Sequence, residues 1–198
     1  LALFRITPGI DEGPVVAQRS FFYNENDDIS ISYKKSSLCM SEMVKDLLRN
    51  PEILQKGIPQ KTDAYYYPQR KPKDGRVDWN LSQREIWAHC RALSHPYPGL
   101  KTSQENSEIV IWKSLPYDDE IKSAPGTIDF VFEDQTFLVS CRDGRILIID
   151  YSSANNWRPK PNSSLRGKRI SETMRHIKER HYAKYPSLII SKRITRAF

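Results

Sequence analysis

Three short strings hold most of the chemistry this chain can offer. The first is Gly9-Ile10-Asp11-Glu12-Gly13-Pro14, which sets a carboxylate between two glycines, with Leu3, Phe4 and Ile6 before it and Val15-Val16-Ala17 after it. A carboxylate in a turn between strands can take up a proton or orient a neighbouring base. It can also bond the backbone N–H groups of its own turn, the commoner use of Asp between glycines. Gly9 and Gly13 are expected to permit the backbone angles of that turn rather than to touch a ligand. The second string is Arg70-Lys71-Pro72-Lys73-Asp74-Gly75-Arg76-Val77-Asp78-Trp79, preceded by Tyr65-Tyr66-Tyr67. Arg70 can clamp a phosphate bidentately and a tyrosine can stack on a base. Alternatively Arg70 pairs with Asp74 or Asp78, and Trp79 packs the stretch onto the second domain. The third is Arg91-Ala92-Leu93-Ser94-His95-Pro96-Tyr97-Pro98-Gly99, a packing corner in which Gly99 lets the chain turn.

Other reactive side chains point to little. His89 is expected on the exposed side of a helix, His95 in a Ser-His-Pro turn, and His176 and His181 in the tail, none at metal-ligand spacing from a thiol or carboxylate. Cys39, Cys90 and Cys141 are odd in number and widely spaced, which argues against a zinc ribbon or disulfide framework and for a reducing cytoplasm.

The elements that must position these strings follow from periodicity. Residues 14–23 are β-branched and aromatic enough for a strand. Leu38, Met40, Met43, Val44, Leu47 and Leu48 recur at helical steps and predict a helix with one buried face, capped by Asp28 and broken near Asn50-Pro51. Residues 58–78, with Pro59, Pro68 and Pro72, predict an extended linker. Ser82 and Glu85 form a capping box for a second helix, lined by Ile86, Cys90 and Leu93 and stopped by Pro96 and Pro98. Four strands are expected at 109–112, 127–132, 136–141 and 145–150, with turns at Glu133-Asp134 and Asp143-Gly144, a spacing that suggests a small barrel. A further helix is expected over 171–184.

Together, in this order and spacing, the three strings resemble the formyltransferases that use 10-formyltetrahydrofolate, a family that includes methionyl-tRNA formyltransferase and the amino-sugar N-formyltransferases. The resemblance covers residues 3–151. It implies an α/β remnant, the closing part of a Rossmann-like catalytic domain, at 1–57. It then implies a linker at 58–78 and, at 79–152, a small all-β open barrel like the oligonucleotide-binding fold, entered by one helix. Residues 153–198 are a basic, partly helical tail outside it. In such enzymes the acid of the G-x-D-x-G turn is catalytic, which makes Asp11 the counterpart here. The family's Asn and His, near an H-x-S-L-L-P loop, have no matching positions, so the 198 residues alone are expected to be inactive and to be the carboxy-terminal portion of a longer protein. The resemblance implies 10-formyltetrahydrofolate as donor and no metal. It places Arg70, Asp74 and Tyr66 beside the acceptor, since the R-x-P-x-D-G form is closer to the sugar-nucleotide and small-amine members.

Charge favours a different acceptor. From 153 to 198 there are 12 Lys plus Arg against Glu172 and Glu179, a balance of +10 within a chain of net charge +7. Such a tail is drawn to a polyphosphate such as initiator tRNA, or simply solubilises. A non-catalytic RNA-binding module or an inactive remnant is the alternative of another class. No purely apolar run exceeds four residues, so no spanning helix is expected.

Overall fold

In the computed structural model, which describes residues 1–60, 67–119, 123–188 and 190, the chain opens with a hairpin. β1 (Ala2–Phe4) pairs antiparallel with β2 (Val15–Gln18), and Ile58 exchanges two 2.8 Å backbone hydrogen bonds with Val15 on the other edge. The strand expected over 14–23 is shorter because the ladder ends where the Arg19 N–H reaches the Leu1 carbonyl. Phe22 and Tyr23 beyond it are exposed. α1 (Ile29–Arg49) starts at Asp28, whose carboxylate accepts the Ile31 N–H at 2.8 Å, and ends at Asn50, with a 3-10 turn over Pro51–Gln55. The buried face expected of α1 is mostly not buried: Met43 is, while Leu38, Met40, Val44 and Leu48 are exposed. One hairpin has too little surface to cover six apolar positions of a 21-residue helix.

The chain divides into two units, Leu1–Ala64 and Tyr65–Phe198. The second is built on an antiparallel sheet of five strands in the order β3-β4-β7-β6-β5. These are β3 (Leu100–Gln104), β4 (Ser107–Tyr117), β5 (Ile128–Val131), β6 (Phe137–Ser140) and β7 (Arg145–Ser153). The expected barrel is thus a sheet whose strand ladder is open between β3 and β5. Residues 162–166 lie across that gap. Arg166 and Ser103 of β3 exchange backbone hydrogen bonds, Leu165 donates to Gly126 just before β5, and Ile128 of β5 donates to Ser163. This satisfies edge groups that would otherwise invite pairing with another chain. β3 has one apolar residue in the core and is fixed by its partner β4 rather than by its own pattern, which is why sequence periodicity missed it.

α2 (Gln83–Leu93) carries the expected capping box: the Glu85 carboxylate accepts the Ser82 N–H at 2.8 Å and the Ser82 hydroxyl accepts the Glu85 N–H at 3.2 Å. Ile86, Trp87 and Cys90 bury one face of α2 among Leu100, Ile109, Ile111, Ile128, Phe137, Val139, Ile146 and Ile148. Each such aliphatic side chain stabilises the unit by about 1.5–3 kcal/mol. At the corner after α2, Gly99 has φ +77°, and a Cβ there would lie 2.2 Å from Val110 and 2.9 Å from Trp112. The turn into β3 therefore requires glycine. α3 (Ile170–Lys184) is the last helix among the described residues.

Candidate functional site

One candidate region, in the first unit, is the turn between β1 and β2. Asp11 sits at its tip, exposed, with φ 53°. The left-handed strain, about 1 kcal/mol, falls on the aspartate itself rather than on the glycines expected to absorb it. Gly13 is needed for another reason: a Cβ would lie 1.6 Å from the Arg5 carbonyl, so the strands approach too closely for any side chain. The turn is clipped by Gln60, whose Nε2 donates to the carbonyls of Asp11 at 2.8 Å and Gly13 at 2.7 Å. Gln60 therefore fixes the backbone of Asp11 while its carboxylate projects from an exposed tip. A cavity of roughly 290 Å³ elsewhere in this unit is lined by Val16, Arg19, Met43, Asp46, Leu47 and Ile53, with Arg19 and Asp46 paired.

A separate candidate region, in the other unit, runs along residues 70–79. Pro72–Asp74 form a 3-10 turn rather than an extended linker, and the chain from there is packed: Asp74, Val77, Asp78 and Trp79 are buried. Asp74 accepts the Lys71 N–H at 2.7 Å and pairs with Arg180 of α3. Asp78 accepts from the Asn80 N–H at 3.0 Å and the Ile170 N–H at 2.9 Å. Trp79 packs, as expected, against Gly126 and Gly167. Arg70 is exposed at the residue level, yet burial pulls its guanidinium below its ordinary value, against the opposing charge of Asp74. Tyr65 and Tyr66 lie outside the described residues, and Tyr67 is exposed.

His89 corrects an expectation. It is half-buried rather than exposed, and burial, with Arg70 second, pushes its imidazole down to about 4, so it is neutral at pH 7. Asp74 and Arg180 are joined across 106 positions, and no local pattern announces such a pair. His95 is exposed and stacks on Trp112 with ring centroids 4.0 Å apart. His176 meets the Lys168 ammonium at 3.0 Å, and His181 is buried against the Leu188 carbonyl at 3.0 Å. Burial drives the Cys90 thiol up to about 11, which makes it an inert core residue. Among the described residues no three His, Cys, Asp or Glu side chains are grouped to hold a metal, and no helix is long and apolar enough to cross a membrane.

Comparison with known proteins adds an independent line. Residues 70–169 match the profile of the family described as "Formyl transferase, C-terminal domain". The chain is 34% identical over 179 residues to the bifunctional polymyxin resistance protein ArnA of Wigglesworthia glossinidia brevipalpis, covering 86% of this chain and 26% of that protein. It thus spans about a quarter of that relative's length. Two solved structures of HypX from Aquifex aeolicus share its fold. One, of a multiply substituted HypX variant, superposes with a TM-score of 0.61 at 21% identity, covering 96% of this chain and 32% of HypX. The other, a complex with tetrahydrofolic acid, superposes at 0.58 and 19% identity, covering 96% and 31%.

Proposed function

The chain belongs to the formyl transferase C-terminal domain family, and from that premise we propose that it is part of an enzyme that moves a formyl group from 10-formyltetrahydrofolate to an amine. The observation that carries this reading is the family match itself, which begins at Arg70 and runs through the sheet, with the G-x-D-x-G turn standing upstream of it. A folate donor is supported by HypX, a protein of the same fold whose structure holds tetrahydrofolic acid.

The reaction joins the amine nitrogen to the formyl carbon and releases tetrahydrofolate. The ammonium must first lose a proton, and the oxyanion formed on attack needs donors placed to meet it. Asp11 is assigned the proton-handling step, as a carboxylate that orients a histidine and shares the proton. That histidine and the oxyanion-binding Asn come, in this reading, from a part of the whole protein outside these 198 residues. Residues 1–57 then close a Rossmann-like domain, and the sheet of the second unit corresponds to the family's barrel.

The acceptor is proposed to be a small phosphorylated amine such as a nucleotide-linked amino sugar, with Arg70 on its phosphate and Asp74 and Tyr66 beside it. The basic tail favours the second reading, initiator methionyl-tRNA, because its +10 balance is what a polyphosphate selects. A cytoplasmic location fits three free thiols, two of them buried. The test is formyl transfer by the full-length protein, supplied with 10-formyltetrahydrofolate and either a nucleotide-linked amino sugar or charged initiator tRNA. Transfer to neither sinks the proposal.

A further inference from the structure

We propose that Gln60 is a positioning residue for Asp11: its carboxamide holds the backbone of the aspartate in the left-handed conformation that sets where the carboxylate stands. The inference rests on the proton-handling role assigned to Asp11 above and adds to it the side chain through which that role depends on the edge of the hairpin.

Asp11 has φ 53°, a conformation that disfavours a residue with a Cβ and persists only where the surrounding structure enforces it. The base of the turn is held by the strands. Arg5 donates its N–H to the Pro14 carbonyl at 3.1 Å, and a Cβ on Gly13 would lie 1.6 Å from the Arg5 carbonyl. On the other edge of β2, Ile58 and Val15 exchange two backbone hydrogen bonds at 2.8 Å, which places Gln60, two residues on, beside the tip. Its Nε2 then donates to the carbonyls of Asp11 at 2.8 Å and Gly13 at 2.7 Å.

The chemistry of this side chain fits that task. A carboxamide nitrogen carries two hydrogens, one for each carbonyl, so a single group bridges the turn. It is also neutral. A lysine or arginine at this position would donate as well, but would draw the Asp11 carboxylate into an ion pair. An ionised glutamate has no hydrogen to give. Both bonds end on main-chain oxygens, which leaves the carboxylate to the proton.

The test is a double-mutant cycle in the full-length protein. Its readout is single-turnover formyl transfer from 10-formyltetrahydrofolate to whichever of the two acceptors the wild type uses. Q60A and the isosteric Q60E are each expected to lower the transfer rate about tenfold or more at unchanged half-saturating donor concentration, because misplacing a proton-handling group slows the chemical step rather than binding. Added to D11N, either substitution is expected to cost less than about twofold, since the group it positions is already disabled. Thermal unfolding checks that the variants fold, as expected for changes at an exposed residue. A wild-type rate in folded Q60A or Q60E overturns the proposal and leaves the role of Asp11 standing. An equal loss with and without D11N also overturns it, because that is what a merely structural role produces. Transfer by D11N at the wild-type rate, or by the wild type to neither acceptor, refutes the reading of Asp11 and this one with it.

Discussion

The carboxylate of Asp78 accepts the main-chain N–H of Ile170 at 2.9 Å, so the first turn of α3 is capped by a residue 92 positions upstream. The cap comes from the strip that also carries Arg70 and Asp74, which makes the start of α3 and the geometry of that strip one structural unit. The other oxygen of Asp78 is engaged by Asn80, and the side chain is buried. Asp78→Ala leaves an orphan donor at the head of α3 and unties Asn80, at an expected cost of about 1–3 kcal/mol. Urea unfolding followed by circular dichroism measures it. An unchanged midpoint would mean that Asp78 does not hold α3.

The imidazole of His89 makes acid stability predictable. Its folded value is pushed down to about 4 from an ordinary 6.5, by burial first and Arg70 second. Between those values the unfolded chain binds a proton that the folded chain refuses. Stability therefore falls as pH drops from 6.5 toward 4, and this contribution is flat above 6.5. For a half-buried ring the loss is roughly 2 kcal/mol. Thermal unfolding of the wild type and His89→Gln across that window is the check: the difference between them should change steadily with pH below 6.5 and level off above it. A pH-independent difference contradicts the assignment.

Local signals were legible and distant ones were not. Asp28 as a cap and the Ser82 and Glu85 box involve neighbours three residues apart, so their chemistry is written in the order of residues. β6 and β7 are buried enough that apolar runs reveal them. β3, Leu-Lys-Thr-Ser-Gln, reads as a loop until β4 supplies its ladder. For the candidate site, the sequence marked Asp11, Arg70 and Asp74 through their strings. It did not reveal that Asp74 is held by Arg180, that Gln60 clips the Asp11 turn, or that His89 is half-buried, because each depends on partners 49 to 106 positions away or on packing.

The first unit exposes Ile6, Phe22, Leu48 and Ile58, each at more than 70%, and buries only Met43 of α1. So little burial does not offset chain entropy. Limited proteolysis of the 198-residue chain is expected to cut within residues 1–64 well before the sheet at 100–153. Equal protection of both units would show that the first is stable by itself.

For the acceptor, the strip and the tail make opposite predictions. A small phosphorylated amine requires weak tRNA binding by the full-length protein near about 0.15 M salt. Sub-micromolar affinity with a steep dependence on salt would instead favour the tRNA reading, since phosphate contacts generate that slope.

Asp11 carries the proton-handling step of the proposed reaction. Asp11→Asn preserves the shape of the turn and the Gln60 clip, which uses backbone carbonyls, and removes only the charge. In a single-turnover assay of the full-length protein with 10-formyltetrahydrofolate and an amine acceptor, the account predicts a loss of about a thousandfold or more, with folding unchanged. Activity within about tenfold of the unmutated protein would contradict it and leave Asp11 as a turn residue.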